Sequence, residues 1–337
     1  MVCSLESYHT LRLRADCLSL RPFDSLHSLQ DALEYPSSWS DAIVLGSGSN
    51  VVLPNLHHGA VLVNKMKGVV VQSECDDYVE LCVSAGEDWH ELVIGCLNRS
   101  YYGLENLAWI PGTVGAAPIQ NIGAYGVELA DFFVCAHVWD RWQRKTVVLS
   151  HSECLFGYRT SVFKTDAKGR YVIISVTLRL SKKPRCCLTY PRLKKFLDTH
   201  NLAVTPENVC EAVMAIRKKR LPDWRKIATV GSFFINPVLS SEAARFLMLK
   251  QPGLNAISVD RSRMKFFAGE LLRVTGWFGF VDQNFFLSPI NPIVLIHNGG
   301  STRAKLERFV ADAIGSVKRQ LGVKLQVEPE FFLEKCP

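Results

Sequence analysis

The segment Ile110-Pro111-Gly112-Thr113-Val114-Gly115-Ala116-Ala117-Pro118-Ile119-Gln120-Asn121-Ile122-Gly123-Ala124-Tyr125-Gly126 packs four glycines, three alanines and two prolines into 17 residues without a charge. A backbone so poor in side chains can lie flat against a planar ring or a pyrophosphate, its N–H groups and the Gln120 and Asn121 amides supplying hydrogen bonds. An ordinary glycine-rich loop is more polar. A second glycine turn, Leu45-Gly46-Ser47-Gly48-Ser49-Asn50, follows a strand and can bring N–H groups to a phosphate. Alone it reads equally as a tight turn. It lacks the third glycine of the dinucleotide fingerprint, and Val51-Val52-Leu53 continues as strand.

A chain of 337 residues, 48% of them hydrophobic, is long enough for two or three domains with large cores. Its net charge of +7 is not spread evenly. Residues 182–226 hold twelve basic and four acidic side chains, which leaves the remainder close to neutral. The 11 cysteines form no CxxC pair and no cluster with zinc-ligand spacing, so no metal site is expected and free thiols in a reducing compartment fit best. Cys154 and Cys210 lie in apolar or helical patterns and read as buried small hydrophobes. No signal-peptide stretch or run of about 18 apolar residues occurs, which predicts a soluble, cytoplasmic protein without membrane insertion.

Runs rich in β-branched residues predict strands at Asp41–Leu45, Ala60–Val63, Val69–Gln72, Tyr78–Ser84, Phe132–Asp140, Lys145–Leu149 and Tyr171–Leu180. The last is expected to bury one face, formed by Val172, Ile174, Val176, Leu178 and Leu180. Helical spacing predicts helices over 89–98, 206–219 and 302–320, and a buried-type strand over 293–296. The pattern reads as a large α+β unit to about residue 180, the basic stretch, then a second α/β unit.

Within Phe156-Gly157-Tyr158-Arg159-Thr160-Ser161, Arg159 stands among aromatics and requires an anionic partner, either a protein carboxylate or a ligand. Ser232, in Gly231-Ser232-Phe233-Phe234-Ile235-Asn236-Pro237, and Glu330, in Glu328-Pro329-Glu330, are a turn serine and a strand-edge acid on local pattern alone. None of the nine histidines stands in a nucleophile motif, so a Ser/His/Asp triad is not indicated.

Taken together in order, GSGSN (46–50), GLENLAWIPGTVGAAPIQNIGAYG (103–126), FGYRTSVFK (156–164), GSFFINP (231–237) and VEPEFFL (327–333) resemble the UDP-N-acetylenolpyruvoylglucosamine reductase family, in its longer, type I-like branch. The resemblance implies an α+β fold: a two-subdomain FAD-binding region of the vanillyl-alcohol-oxidase (PCMH) type plus a C-terminal α/β substrate domain. The bounds expected are 1–70 and 71–185 for the two flavin subdomains, 186–226 for a basic linker, lid and helix, 227–326 for the substrate domain, and 327–337 for a final strand returning to the first subdomain. It also implies an NADP-dependent oxidoreductase, a UDP-N-acetylmuramate dehydrogenase, in which FAD takes hydride from NADPH and passes it to UDP-N-acetylglucosamine enolpyruvate. That reaction makes UDP-N-acetylmuramate for the peptidoglycan cell wall and so bears on cell shape, division and the cell cycle. The expected protein is a monomer that binds no nucleic acid.

Carried over residue by residue, the catalytic set is Arg159, Ser232 and Glu330. Arg159 and Glu330 would stabilise an enolate-like state, and Ser232 would donate the proton. FAD contacts are expected from Gly46, Ser47, Gly48, Ser49, Asn50, Pro111, Gly112, Thr113, Gly115, Ala116, Gln120, Asn121, Ile122, Gly123, Ala124, Tyr125, Gly126, Ile173 and Arg217. Substrate contacts are expected from Tyr158, Tyr190 on a closing loop, Arg220, Asn236, Lys265 and Asn291. The chain departs from the family pattern at Thr160, Ile235, Glu270 and Arg273-Val274, of which Ile235 removes a phosphate contact that Lys265 would take over. A flavin oxidase using oxygen and a basic nucleic-acid-binding protein are the alternatives. The basic stretch, with few aromatics and no RNA-binding motif, argues against the second.

Overall fold

Most of the β-branched runs become strands close to their expected bounds. Tyr78–Ser84, Phe133–Asp140, Lys145–Ser150 and Tyr171–Ser181 join Val69–Glu74 in a five-stranded antiparallel sheet, in the order Lys145–Ser150, Phe133–Asp140, Tyr171–Ser181, Tyr78–Ser84, Val69–Glu74. The structure, a computed structural model, describes residues 2–34, 41–279, 282 and 284–333. The chain divides into two compact units, one formed by Cys17–Ser47 and His58–Lys219, the other by Met1–Asp16, Gly48–His57 and Arg220–Pro337.

The first unit contains the five-stranded sheet. Its middle strand, Tyr171–Ser181, departs from the one-faced pattern expected of it. Val172 and Ile174 pack with Phe23, Leu29 and Trp139 in one cluster, while Ile173, Val176, Leu178 and Leu180 belong to the larger core. A strand central to its sheet is covered on both faces, so alternation in the sequence understates its burial. Helix Trp89–Leu97, capped by Asp88, buries Trp89, Leu92, Val93 and Cys96 in that core. Helix Pro206–Arg220, whose spacing predicts one apolar side of Val209, Val213 and Ile216, buries Val209 and Val213 with Cys210 and Ala212 between them and leaves Ile216 half-buried. The expected strand at 41–45 shortens to Ile43–Leu45 and pairs in parallel with Leu56–Asn64. Helices Leu26–Leu33 and Pro191–Thr199 were not expected: the first is short and defined by a Ser25/Ser28 capping box, the second begins on a proline.

In the second unit, helix Arg303–Leu321 runs from its Thr302 cap to Gly322 and buries Leu306, Phe309, Val310, Ala313 and Val317, a stripe at helical spacing. It belongs to a core with Phe233, Phe234, Phe266 and Phe285. The strand expected at 293–296 is Val294–His297, lying between Ala228–Ser232 and Phe285–Leu287. Helices Ser241–Lys250 and Ala268–Val274 bury only two and three residues each, too few to announce themselves as a periodic pattern.

Candidate active site

In the first unit the glycine-rich segment is threaded along the start of helix Trp89–Leu97. The Trp89 N–H donates to Gly112 O at 3.1 Å, Val114 N–H to Glu87 O at 2.9 Å and Gly115 N–H to Ala85 O at 2.9 Å. Gly115 is required by this approach, since a Cβ there would lie 2.5 Å from the Ala85 Cβ. The segment turns through a short 3-10 helix, Val114–Gln120, and ends it on Asn121 at φ 45°. Gly46 lies against the Thr113 hydroxyl, so in this unit the two glycine motifs of the sequence meet.

Four non-glycine residues here have left-handed backbones: Trp109 (φ 58°), Asn121 (φ 45°), Tyr125 (φ 51°) and Arg159 (φ 55°). Each such residue costs on the order of 1 kcal/mol or more, and such costs concentrate where geometry serves a function. Each is held by identifiable bonds. Asn121 donates to Glu128 Oε2 (2.7 Å) and Gly157 O (3.2 Å) and accepts from the Ala130 N–H (3.0 Å), so its amide serves as an internal bracket. Buried Asn106 donates from Nδ2 to Tyr125 O (2.9 Å) and to Cys187 O (3.0 Å). The Tyr190 ring meets the Tyr125 ring edge-on at 5.1 Å between centroids. Trp109 donates its N–H to His90 Nδ1 (3.1 Å) and accepts at its carbonyl from Arg217 Nε (3.0 Å).

Two guanidinium groups converge on this frame. Arg159, at the tip of a turn closed by reciprocal Gly157 and Thr160 backbone bonds, donates from Nη2 to Gly123 O at 2.8 Å. Thr160, where the family pattern often has an aspartate, therefore contributes its backbone to the turn that aims Arg159. Tyr158 is exposed beside it, 6.0 Å from the Arg159 guanidinium carbon to the ring centre. Burial pushes the Arg217 guanidinium below its ordinary range; the Tyr125 phenol opposes this, and the neighbouring Arg159 charge adds to it. Lys218 places its ammonium 4.4 Å from the Trp109 ring centre. Cations gathered on an uncharged backbone form a site for an anion. The basic stretch is less uniform than its composition suggests, because Lys182 and Lys183 are spent on ion pairs with Glu74 and Asp77. Ile173 is buried in the middle strand, its carbonyl accepting from Asn64 Nδ2 at 3.3 Å. Pro111, Gln120, Ala124 and Gly126 line the exposed or half-buried side of the segment.

In the second unit Ser232 ends strand Ala228–Ser232, opposite Val294 and just past a register shift. It is half-buried, anchored by wholly buried Phe233 and Phe234. Phe233 donates its N–H to Ile293 O (2.7 Å) and accepts at its carbonyl from the Glu328 N–H (2.9 Å). Glu330, two residues on, begins strand Glu330–Phe331, which runs parallel to Val51–Val52, and its N–H donates to Asn50 O at 2.9 Å. Asn50 Nδ2 reaches Glu328 O at 3.5 Å. Asn50 is thus knitted to the Glu-Pro-Glu segment, and that segment to Phe233 beside Ser232. Asn236 Oδ1 caps helix Ala268–Val274 by accepting from the Ala268 N–H at 2.9 Å. Glu270, another departure from the family pattern, accepts from the N–H and the side-chain amide of Asn255, both at 2.9 Å. Ile235 pairs with Gln326 in a strand ladder, Lys265 stands opposite Val238, Asn291 O accepts from the Val294 N–H, and Arg220 ends its helix.

Comparison with known proteins supplies the chemistry. A family model described as an FAD-binding domain matches residues 24–147, and one described as the C-terminal domain of UDP-N-acetylenolpyruvoylglucosamine reductase matches residues 223–332. The chain is 40% identical over 287 residues to the UDP-N-acetylenolpyruvoylglucosamine reductase of Bordetella pertussis, covering 85% of this chain and 82% of that protein. The chain belongs to this reductase family. The same enzyme of Shewanella sp. strain ANA-3 is 38% identical over 327 residues, 97% of this chain and 95% of its own. The crystal structure of the Thermus caldophilus enzyme superposes with a TM-score of 0.65 at 21% identity, covering 99% and 98% of the two chains, which supports the fold.

As a member of the UDP-N-acetylenolpyruvoylglucosamine reductase family, the chain is an FAD-dependent oxidoreductase with a PCMH-type flavin region and the family's C-terminal domain. Its residues fit the flavin, because the uncharged backbone of 110–126 suits a planar ring and the Arg217 guanidinium bonded to Trp109 O suits a pyrophosphate. Asn106, His90 and Glu128, which hold the strained backbone, carry no role in the sequence reading: Asn106 lies inside the 103–126 string, but a side chain that serves by bonding a distant backbone or amide group has no periodic signature. No helix of the described residues is long and apolar enough to cross a membrane, and no described cysteine forms a disulfide.

Proposed function

We propose that the chain reduces UDP-N-acetylglucosamine enolpyruvate to UDP-N-acetylmuramate with NADPH, as a cytoplasmic monomer supplying cell-wall synthesis and, through it, cell shape and division. The observation that carries this reading is Arg159, fixed at φ 55° against the Gly123 carbonyl with Arg217 as its electrostatic neighbour. Bound FAD would supply the hydride chemistry linking the nicotinamide to the enolpyruvyl double bond. Addition at that bond builds negative charge on the neighbouring carbon and its carboxylate. Arg159 meets that charge with a group already aimed, so little reorganisation is needed as the charge develops. Glu330 shares the enol oxygens as a hydrogen-bonding partner, and Ser232 Oγ–H gives its proton to the carbanionic carbon. A serine is a weak acid, but an enolate carbon is a strong enough base to take the proton from an aligned hydroxyl without prior ionisation.

Tyr190, seated on Tyr125, covers the sugar nucleotide, and Tyr158, Arg220, Lys265, Asn236 and Asn291 serve the nucleotide and its phosphates. Functional assignment follows the sequence bounds: flavin binding over 1–70 and 71–185, the lid and basic helix over 186–226, substrate over 227–326, and the closing strand over 327–337. The test is optical. The purified protein should be yellow, bleach with NADPH and recolour with the enolpyruvyl sugar nucleotide but not with UDP-N-acetylglucosamine. A protein that NADPH bleaches and that oxygen alone recolours as fast as the enolpyruvyl sugar would refute it.

A further inference from the structure

The first unit holds a cavity of about 640 Å³ that Asn106 helps to line. Sites for small organic ligands run from roughly 300 to 1,000 Å³. Asp77, Arg179, Lys183 and Arg185 supply charge to its lining, Glu105 and Asn106 belong to its wall, and Cys187 opens onto it. Its charges are of both signs. Arg179 is paired with Glu80 and Lys183 with Asp77, while exposed Arg185 stands near Asp77. Glu105 is buried and accepts the Gly103 N–H at 2.9 Å; burial, with Glu207 adding to it, pushes its carboxyl up against that bond. A ligand matching this lining carries carboxylates and an ammonium together.

The cysteines of this unit are not equivalent. Cys96 and Cys210 are buried in the core, their thiols pushed up to about 12 mainly by that burial, and Cys186 is pushed up for the same reason. The Cys187 sulfur lies 3.2 Å from Thr189 Oγ1 and 3.8 Å from Gly126 O. Gly126 has φ 87°, and a Cβ on it would come within 2.0 Å of Thr189 Oγ1 and 3.5 Å of the Cys187 sulfur, so these side chains are packed directly on the end of the glycine segment. The Cys187 carbonyl shares Asn106 with Tyr125, and Tyr190 follows three residues later.

We propose that Cys187 is a modification site, which forms a mixed disulfide with a small peptide thiol bearing two carboxylates and an ammonium, the peptide occupying this cavity. The Cys187 thiolate attacks one sulfur of the peptide disulfide. The old S–S bond breaks, a new one joins Cys187 to one peptide, and the other leaves as thiol carrying the proton Cys187 gave up, so no further oxidant is needed. The sulfur then loses its S–H and must swing into the cavity, off Gly126 and Thr189. The contact that seats 187–190 against the glycine segment is lost, and Tyr190 is freed from Tyr125. This last consequence rests on the reductase reading; the adduct itself does not.

Purified FAD-loaded protein should be incubated with glutathione disulfide or with hydroxyethyl disulfide, which is neutral, and the modified peptides identified by mass spectrometry. Expected are an adduct on Cys187 reversed by dithiothreitol, formation about fivefold faster with glutathione disulfide, as one exposed charge pair can supply, and loss of that preference in Arg185→Glu. Cys187→Ser should turn over and should no longer be slowed by the disulfide. Adducts on Cys186 or Cys75 in place of Cys187, or equal rates for the two disulfides, would overturn the proposal. A protein labelled on Cys187 that never reduces the enolpyruvyl sugar upholds it and refutes the reductase reading instead.

Discussion

Substituting Gly115→Ala places one methyl group where the glycine segment is tightest. Its Cβ would lie 2.5 Å from the Ala85 Cβ and 3.1 Å from the Ala85 Cα and O, so the obstruction is main chain and a methyl that cannot rotate away. Overpacking of this kind costs about 1–3 kcal/mol. The segment relieves it by moving off residues 85–88, which stretches the Gly115–Ala85 and Val114–Glu87 hydrogen bonds. If half of a ~3 kcal/mol cost falls on the flavin-competent arrangement, FAD affinity drops by about tenfold, since 1.4 kcal/mol corresponds to one decade. Flavin fluorescence titration of the apoprotein measures it. Ala85→Gly removes the opposing methyl, so the double variant should recover most of the lost affinity, giving a coupling of about 1–2 kcal/mol between neighbours. Gly115→Ala with parental FAD affinity would refute the reasoning, as would a double variant weaker than either single one.

Ser232→Ala should leave NADPH-driven bleaching within about twofold and slow recolouring by the enolpyruvyl sugar by roughly 10²–10⁴, the range for a lost general acid, in rapid-mixing absorbance; equal losses in both halves would sink the proton-donor role. His9 is buried, donates Nε2–H to Leu13 O at 2.9 Å and is held below its ordinary value of 6.5, chiefly by burial and further by His297, against the Leu13 bond and Glu6. The folded state therefore binds this proton less readily than the unfolded chain, and its contribution to stability, full above pH 6.5, is lost as pH falls below it, by up to about 1.4 kcal/mol per unit. Melting temperature between pH 7.5 and 5.5 should fall less in His9→Gln than in the parent; identical slopes would contradict this. Asp140→Asn breaks a buried carboxylate that accepts Arg170 Nε (3.0 Å) and Nη2 (2.6 Å) and the N–H groups of Trp142 and Gln143. It should cost about 2–4 kcal/mol by denaturant unfolding.

What could be read from the sequence was what local composition dictates. Tyr78–Ser84 appears at its expected bounds because Val79, Leu81 and Val83 alternate along it as a buried face and Asp77 and Gly86 close it. Helix Arg303–Leu321 appears because a stripe of five apolar residues recurs at 3–4 residue spacing behind a threonine cap. The glycine segment was legible as a backbone surface because it lacks charge and bulk. What could not be read was how that surface is held. Asn121, which the motif offers as a ligand, spends its amide on Glu128, Gly157 and Ala130, whereas Asn106, which lies in the same 103–126 string but carries no expected role, secures Tyr125. The two amides differ only in what long-range folding brings to them, residues up to 81 positions away in the case of Cys187.

The same holds for charge. Counting assigns Lys182, Lys183, Arg217 and Lys218 to one basic stretch, yet two of them neutralise the hairpin acids Glu74 and Asp77, while the other two bracket the strained Trp109. A positive field at the flavin segment therefore depends on Arg217 with Arg159, and the rest of the local surplus adds to it only through screened solvent, which attenuates charges beyond about 10 Å at 0.1 M salt. If that is correct, Arg217→Gln should weaken FAD or sugar-nucleotide binding with little change in its salt dependence, because the interaction it removes is at short range and desolvated. Lys182→Gln should leave both affinities untouched. A steeper effect from Lys182 than from Arg217 would mean that the stretch acts as the diffuse patch its composition suggests.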